Sequence, residues 1–245
     1  MEIITSLQND KIKQLNKLNE KKYRDESNLF LVEGEHLVNE AYQTNQLTEV
    51  LVTNESDSNL DIKTTLITQD VMKKLSKMQS PSNIIGVCKK FNPIGYGKRI
   101  ILLDGIQDPG NLGTIIRSAM SFNIDTVVLG EDTVDLYNDK VIRASEGMIF
   151  HIDVLRKNLN DFILELKDNN YTIYTTDVNG GKIISDVDFK EKCAIILGHE
   201  GKGVGDIRLL ADESLYIPMN KKCESLNVSV AASIIMYEMS KRDYE

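Results

Sequence analysis

The stretch at 100–122, IILLDGIQDPGNLGTIIRSAMSF, decides the fold class. Ile100, Ile101, Leu102 and Leu103 run on without polar alternation, which predicts a strand buried on both faces, as in a parallel sheet. Asp104 ends it, Pro109 and Gly110 make a turn, and a helix is predicted over 112–122 with Asn111 as its N-cap and Arg117 on its second turn. Outward from this unit the same unbroken pattern recurs in TVVLG at 126–130, YTIYTT at 171–176 and CAIILG at 193–198. A helix near 158–169 and an apolar helix from about Asn227 lie among them, so the second half reads as α/β with a parallel sheet. The strand–turn–helix at 104–122 is readable as an ordinary connection with a surface Arg. It is equally readable as a helix N-terminus and an Arg that together receive a phosphate.

The first ninety residues have a different texture. Leu7, Ile12, Leu15 and Leu18 recur at helical spacing, with Lys11, Lys13, Lys17, Lys21 and Lys22 on the other faces, which predicts one basic amphipathic helix over 6–24. Strand patterns follow at FLVEG 30–34, EVLVT 49–53 and IIGVCKK 84–90, with helices at 35–44 and 69–78. This is a small α/β/α domain over 1–92. The segment 93–98, with Pro93, Gly95 and Gly97, reads as a linker, and 99–245 as the second domain.

Composition excludes several classes. With 41% hydrophobic residues, 15 Gly and 4 Pro in 245, the chain is neither disordered nor collagen-like. Cys88, Cys193 and Cys223 are odd in number and far apart, so no disulfide framework and no CxxC metal or redox pair is offered. No apolar run reaches membrane-spanning length, and a cytoplasmic location is expected. The net charge of −8 counts against a nucleic-acid binder until it is divided. Residues 1–97 carry 12 basic and 13 acidic side chains, 98–245 carry 17 and 24, and the first 24 residues carry 6 and 3. The N-terminal part is the one placed to meet a polyanion.

Two further segments carry chemistry. IILGHEGKGVG at 195–205 runs a buried strand into a loop with four glycines, His199 and Glu200. It has neither P-loop nor GxGxxG spacing, yet it stands at the carboxyl end of a parallel strand, where α/β folds bind ligands. LYIPMNKKCESLNVSVAASIIMYEMS at 215–240 leads through Pro218 to a polar loop, with Ser225 or Asn227 capping the last helix.

In order and spacing, NxGxxxR at 111–117, GxEGKG at 198–203 and IPM…ESLNVSVAAS at 217–233 resemble the three motifs of the SpoU/TrmH family of RNA ribose 2′-O-methyltransferases, within the SPOUT superfamily. KYR at 22–24 and FLVEGEHLV at 30–38 are similar to the L30e-like RNA-binding domain that precedes the catalytic domain in many of these enzymes. The resemblance implies a catalytic domain with a C-terminal deep trefoil knot, S-adenosyl-L-methionine as cofactor, no metal, and a homodimer formed through the knotted domain. It implies a cofactor pocket from Gly198, Glu200, Gly203, Ile217, Met219, Ser225, Leu226 and Asn227. The catalytic set would be Arg117, Asn111, Glu200, Ser225 and Asn227. RNA contacts would come from Arg117, Arg143 and Ser145 (the last two in VIRASEGMIFHID, 141–153) and from Lys22 and Arg24. A guanidinium is always protonated, so Arg117 fits phosphate binding and charge stabilisation better than proton abstraction. Two residues depart from the family pattern: Glu146, where a small or apolar residue is common, and His199, where Asn is common. Ribosomal RNA is the expected substrate. Transfer RNA, or a non-catalytic RNA-binding or assembly role on the same fold, are the alternatives. A nucleotide-dependent oxidoreductase or NTPase is disfavoured by the missing phosphate-loop spacings.

Overall fold

The computed structural model describes residues 2–93, 95–178, 180–199 and 203–244. The chain divides into two compact units, one of residues 1–92 with 135–150, the other of 93–134 with 151–245.

The first unit is built on a five-stranded sheet. Its elements are β1 (Glu2–Ile4), α1 (Asp10–Lys17), α2 (Lys21–Ser27), β2 (Leu29–Glu33), α3 (Glu35–Gln43), β3 (Leu47–Val52), β4 (Thr64–Ile67), α4 (Gln69–Leu75) and β5 (Ile84–Lys89). The strand order is β1-β4-β3-β5-β2, with β5 antiparallel to both its neighbours and the other pairs parallel. Ile12, Leu15 and Leu18 pack with Leu51, Ile67, Val71, Met72, Leu75 and Ile85 into one core. The single helix predicted over 6–24 is two helices. Asn9 caps α1, accepting from the Lys11 N–H at 2.9 Å, and the chain breaks at Glu20, which is extended. The break turns Arg24 inward. Its Nη1 donates to the Leu18 carbonyl at 2.8 Å and its Nη2 to Asp135 Oδ2 at 2.6 Å.

The second unit opens with β6 (Arg99–Leu103), α5 (Pro109–Ser121) and β7 (Thr126–Leu129). The chain then leaves it: 135–150, which carries α6 (Asp139–Ala144), groups with the first unit and not with the second half as its position in the sequence implies. Aromatic packing is the cause. Phe30 meets the Tyr137 ring at 4.7 Å and the Phe150 ring at 6.1 Å, and the Arg24–Asp135 ion pair closes the join. After this excursion come β8 (Asp153–Arg156), α7 (Leu159–Asp168), β9 (Thr172–Thr176), β10 (Lys182–Ile183), β11 (Cys193–Leu197), β12 (Glu213–Tyr216) and α8 (Val228–Ser240).

These strands form one seven-stranded sheet, β10-β12-β9-β11-β6-β7-β8, parallel at every pairing. The unbroken apolar runs behave as predicted: β7 and β11 are buried along their whole length. One face packs on Phe162, Ile163 and Leu166 of α7. Among the described residues no helix is long and apolar enough to cross a membrane, and no group of three or more His, Cys, Asp or Glu is placed to hold a metal ion.

Candidate active site

The site is built where parallel strands end. At the carboxyl end of β6, Asp104 reaches across, and its Oδ2 accepts from the Gly205 N–H at 3.2 Å. This ties the loop after β11 to the loop after β6. The helix that follows starts earlier than its sequence predicts. Asp108, not Asn111, is the N-cap of α5; its Oδ1 accepts from the Asn111 N–H at 2.8 Å, with Pro109 at the first helical position. A carboxylate therefore already caps this helix N-terminus, and Arg117 is the one guanidinium in 104–122. Arg117 is exposed and forms no ion pair with any described residue.

Asn111 sits in the first turn of α5, and its Oδ1 accepts from Asn227 Nδ2 at 3.0 Å. Asn227 in turn caps α8. Its Oδ1 accepts from the Ser229 N–H at 2.9 Å and from the Ser229 hydroxyl at 2.6 Å. Two amides more than a hundred residues apart in the chain thus lock two helix starts together. Farther along the pair, the Ser118 and Ser233 hydroxyls lie 2.8 Å apart, and Phe122 meets Tyr237 edge to face at 5.8 Å.

The loop after β11 doubles back. The Gly203 N–H donates to the His199 carbonyl at 2.8 Å, with Gly203 at φ +66°. The return brings backbone so close to Gly198 that a Cβ there would lie 2.2 Å from the Gly203 carbonyl carbon and 2.2 Å from the Val204 nitrogen. Only glycine fits. Glu200 and Lys202 lie outside the described residues.

Between this loop and the chain entering α8 is a pocket of about 370 Å³, lined by Gly198, Gly203, Ile217, Met219, Ser225 and Leu226. These are six of the eight residues that the family resemblance implies for the cofactor. Asn227 is not in the lining but anchors its edge through the α8 cap, and Glu200 is the eighth. The lining also includes His199, a candidate for polar contacts in this loop, and Thr176, Asp177 and Val178 at the end of β9, Leu197, Val204, Arg208, Leu215, Val228 and Ala231, which the three motifs do not single out. Thr176–Val178 carried one usable signal, their place at the carboxyl end of a parallel strand. Arg208 carried none. The pocket has the size of a small-molecule site, roughly 300–1,000 Å³. Its walls of Leu197, Leu215, Ile217, Leu226, Val228 and Ala231 suit a flat heteroaromatic group, and Asp177 and Arg208 add one carboxylate and one guanidinium to the lining.

The residues expected to contact RNA are not all placed for it. Arg24 is only 6% exposed, and its Nη1 and Nη2 donate to the Leu18 carbonyl and Asp135. Ser145 is fully buried and donates to the Ile142 carbonyl at 2.8 Å. Arg143 is half-buried and paired with Asp139 at 2.9 Å, whereas Lys22 is exposed. Glu146 is exposed at φ +48°. In α8, Val228, Ile235 and Met239 are buried within the unit, Ile234 is half-buried, and Val230 is 47% exposed.

This fold and site define a class. Residues 98–237 match the SpoU rRNA Methylase family, and residues 9–86 match the MRM3-like substrate binding domain. The chain belongs to the SpoU rRNA methylase family. It is 39% identical over 247 residues to the 23S rRNA (guanosine(2553)-2′-O)-methyltransferase RlmP of Bacillus subtilis (strain 168), a match covering 98% of this chain and 99% of the relative. Among solved structures, an AdoMet-bound rRNA methyltransferase from Sinorhizobium meliloti superposes with TM-score 0.88 at 25% identity, covering 100% of this chain and 98% of that one. An RNA 2′-O ribose methyltransferase superposes at 0.83 with 28% identity, covering 99% and 100%.

Proposed function

We propose that the protein transfers a methyl group from S-adenosyl-L-methionine to a ribose 2′-hydroxyl of ribosomal RNA, in the large-subunit RNA. The observation that carries this reading is the pocket at the strand ends, where Gly198, Gly203, Ile217, Met219, Ser225 and Leu226 converge beside the Asn111–Asn227 bond. The cofactor supplies an electrophilic methyl on a sulfonium. Gly198 and Gly203 give it a backbone wall, Ile217 and Leu226 hold its base, and Ser225 lies at the open side. Asn227 anchors the edge of the site through the α8 cap.

The remaining chemistry belongs to this chain's side chains. A neutral ribose hydroxyl is a poor nucleophile, so it must be held in line with the methyl; as the C–O bond forms, the methyl–sulfur bond would break to release the thioether, and the hydroxyl proton would pass to solvent. Arg117 grips the phosphate next to the target ribose and stabilises the oxygen as negative charge develops. Asn111, its carboxamide fixed by Asn227, orients that hydroxyl. Lys22 and Arg143 add phosphate contacts on the first unit.

The active form is a cytoplasmic homodimer joined through the α5 and α8 face of the knotted second unit. Met120, Val230 and Tyr237, which are 38%, 47% and 48% exposed, would supply apolar contacts to that interface. Mapping 2′-O-methylated nucleotides in ribosomal RNA from cells with and without this protein tests the assignment. One large-subunit position is expected to lose its methyl. An unchanged map of ribosomal RNA with a lost methyl in transfer RNA would overturn it.

A further inference from the structure

Among the described residues lining the pocket, Asp177 is the one carboxylate and Arg208 the one guanidinium. None of the three motifs contains either. Asp177 immediately follows β9, and its N–H donates to the Leu215 carbonyl at 3.0 Å. Thr176, one residue before it, is paired in register with Leu215. The acid is therefore held by backbone against β12, whose end supplies Leu215 and then Ile217 to the apolar wall. Its side chain is half-buried, and it stands at the carboxyl edge of a parallel sheet.

We infer that Asp177 is the ribose-recognition residue of the cofactor site, accepting hydrogen bonds from the 2′- and 3′-hydroxyls of the adenosine. This rests on the cofactor reading above. A ribose is joined directly to its base, so the sugar of an adenine held by Leu215, Ile217 and Leu226 falls beside the residue fixed to Leu215. A vicinal diol offers two O–H donors, and an ionised carboxylate is an acceptor-only group with two oxygens. O–H···O⁻ bonds are among the stronger hydrogen bonds. An acid at a strand end holding a ribose is also a solution that dinucleotide-binding α/β folds reach independently. The α-ammonium of the cofactor is the competing occupant, but it lies a full amino-acid chain away from the base.

The test separates these occupants. Dissociation constants are measured by isothermal titration for S-adenosylhomocysteine, for 5′-methylthioadenosine, which lacks the amino-acid end, and for 2′,3′-dideoxy-5′-methylthioadenosine, which lacks the diol. Wild type, Asp177→Ala and Asp177→Asn are compared, with circular dichroism and melting curves to show that each folds. Asp177→Ala is expected to weaken S-adenosylhomocysteine and methylthioadenosine alike, about tenfold or more. The wild type discriminates against the dideoxy analogue by a similar factor, and Asp177→Ala binds both analogues equally. Asn, which keeps one acceptor, falls between. A variant that loses S-adenosylhomocysteine but retains methylthioadenosine places the carboxylate at the amino-acid end and overturns the assignment, as does unchanged binding of all three. Failure of the wild type to bind S-adenosylhomocysteine at all would instead sink the cofactor reading itself.

Discussion

Asn227 performs two jobs that a pair of substitutions can separate. Its Oδ1 caps α8 and also satisfies the buried Ser229 hydroxyl, while its Nδ2 fixes Asn111. In Asn227→Ala both functions go. Loss of a side-chain N-cap costs about 0.5–2 kcal/mol, and a hydroxyl left without its acceptor adds about 1 kcal/mol or more. A total of about 1.5–3 kcal/mol corresponds to a fall in Tm of roughly 3–12 °C for a chain of this size. Asn227→Asp behaves differently. Asp is as good a cap as Asn and suits the positive end of a helix, so Tm should stay within about 2 °C of wild type. Yet Asp has no N–H to give, and its oxygen now faces the Asn111 oxygen; the Asn111 amide turns over and presents its other end to the site. Methyl transfer to ribosomal RNA at saturating cofactor should then fall about tenfold or more in both variants. Thermal melting and a labelled-methyl transfer assay read the two effects. Full activity in the Asp variant would show that the Asn227–Asn111 bond does not orient the site, and an Ala variant as stable as wild type would show that the cap does not hold α8.

Further expectations follow from the same geometry. Gly198→Ala drives a Cβ against backbone 2.2 Å away, so the loop must shift; cofactor affinity should fall about tenfold or more by titration, with about 1–3 kcal/mol lost in stability. Arg117→Lys keeps the charge but loses the planar fork, and Arg117 is not in the pocket lining. Turnover should drop about tenfold or more while cofactor affinity is unchanged, and a wild-type rate would remove any need for the bidentate group. In the first unit Glu49 is buried, which by itself raises its pKa, but bonds from Lys11, Thr65 and Lys63 outweigh that and hold its carboxyl below the usual value of 4.5. A depressed carboxylate contributes stability above its unfolded pKa that is lost as pH falls through the folded one. Melting temperature should decline below about pH 4.5, and Glu49→Gln should flatten that decline while lowering Tm at pH 7.

The parallel sheet was legible because Ile100–Leu103, Val127–Leu129 and Ala194–Leu197 have no polar residue to put on a solvent face. The pocket was legible in part because glycines at a strand end have few other uses. What escaped was decided at long range. Nothing local tells Arg24 that Asp135 will be beside it, or sends 135–150 to pack on Phe30 and not on its sequence neighbours. Asp177 and Arg208 look like ordinary loop charges until β9, β12 and the segment after β11 meet. Asp108 was a matter of competition: two capping residues stand three apart, and Pro109, suited to the first helical position, decides for the earlier one.

The most direct measurement incubates the purified protein with methyl-labelled S-adenosyl-L-methionine and ribosomal RNA, then digests the RNA with alkali. A methyl on the 2′-oxygen blocks that oxygen from attacking its own phosphodiester, so the label should appear in a single alkali-resistant dinucleotide. Label released in mononucleotides, as from a methylated base, or no transfer to RNA at all, would contradict 2′-O-methylation of ribosomal RNA by this protein.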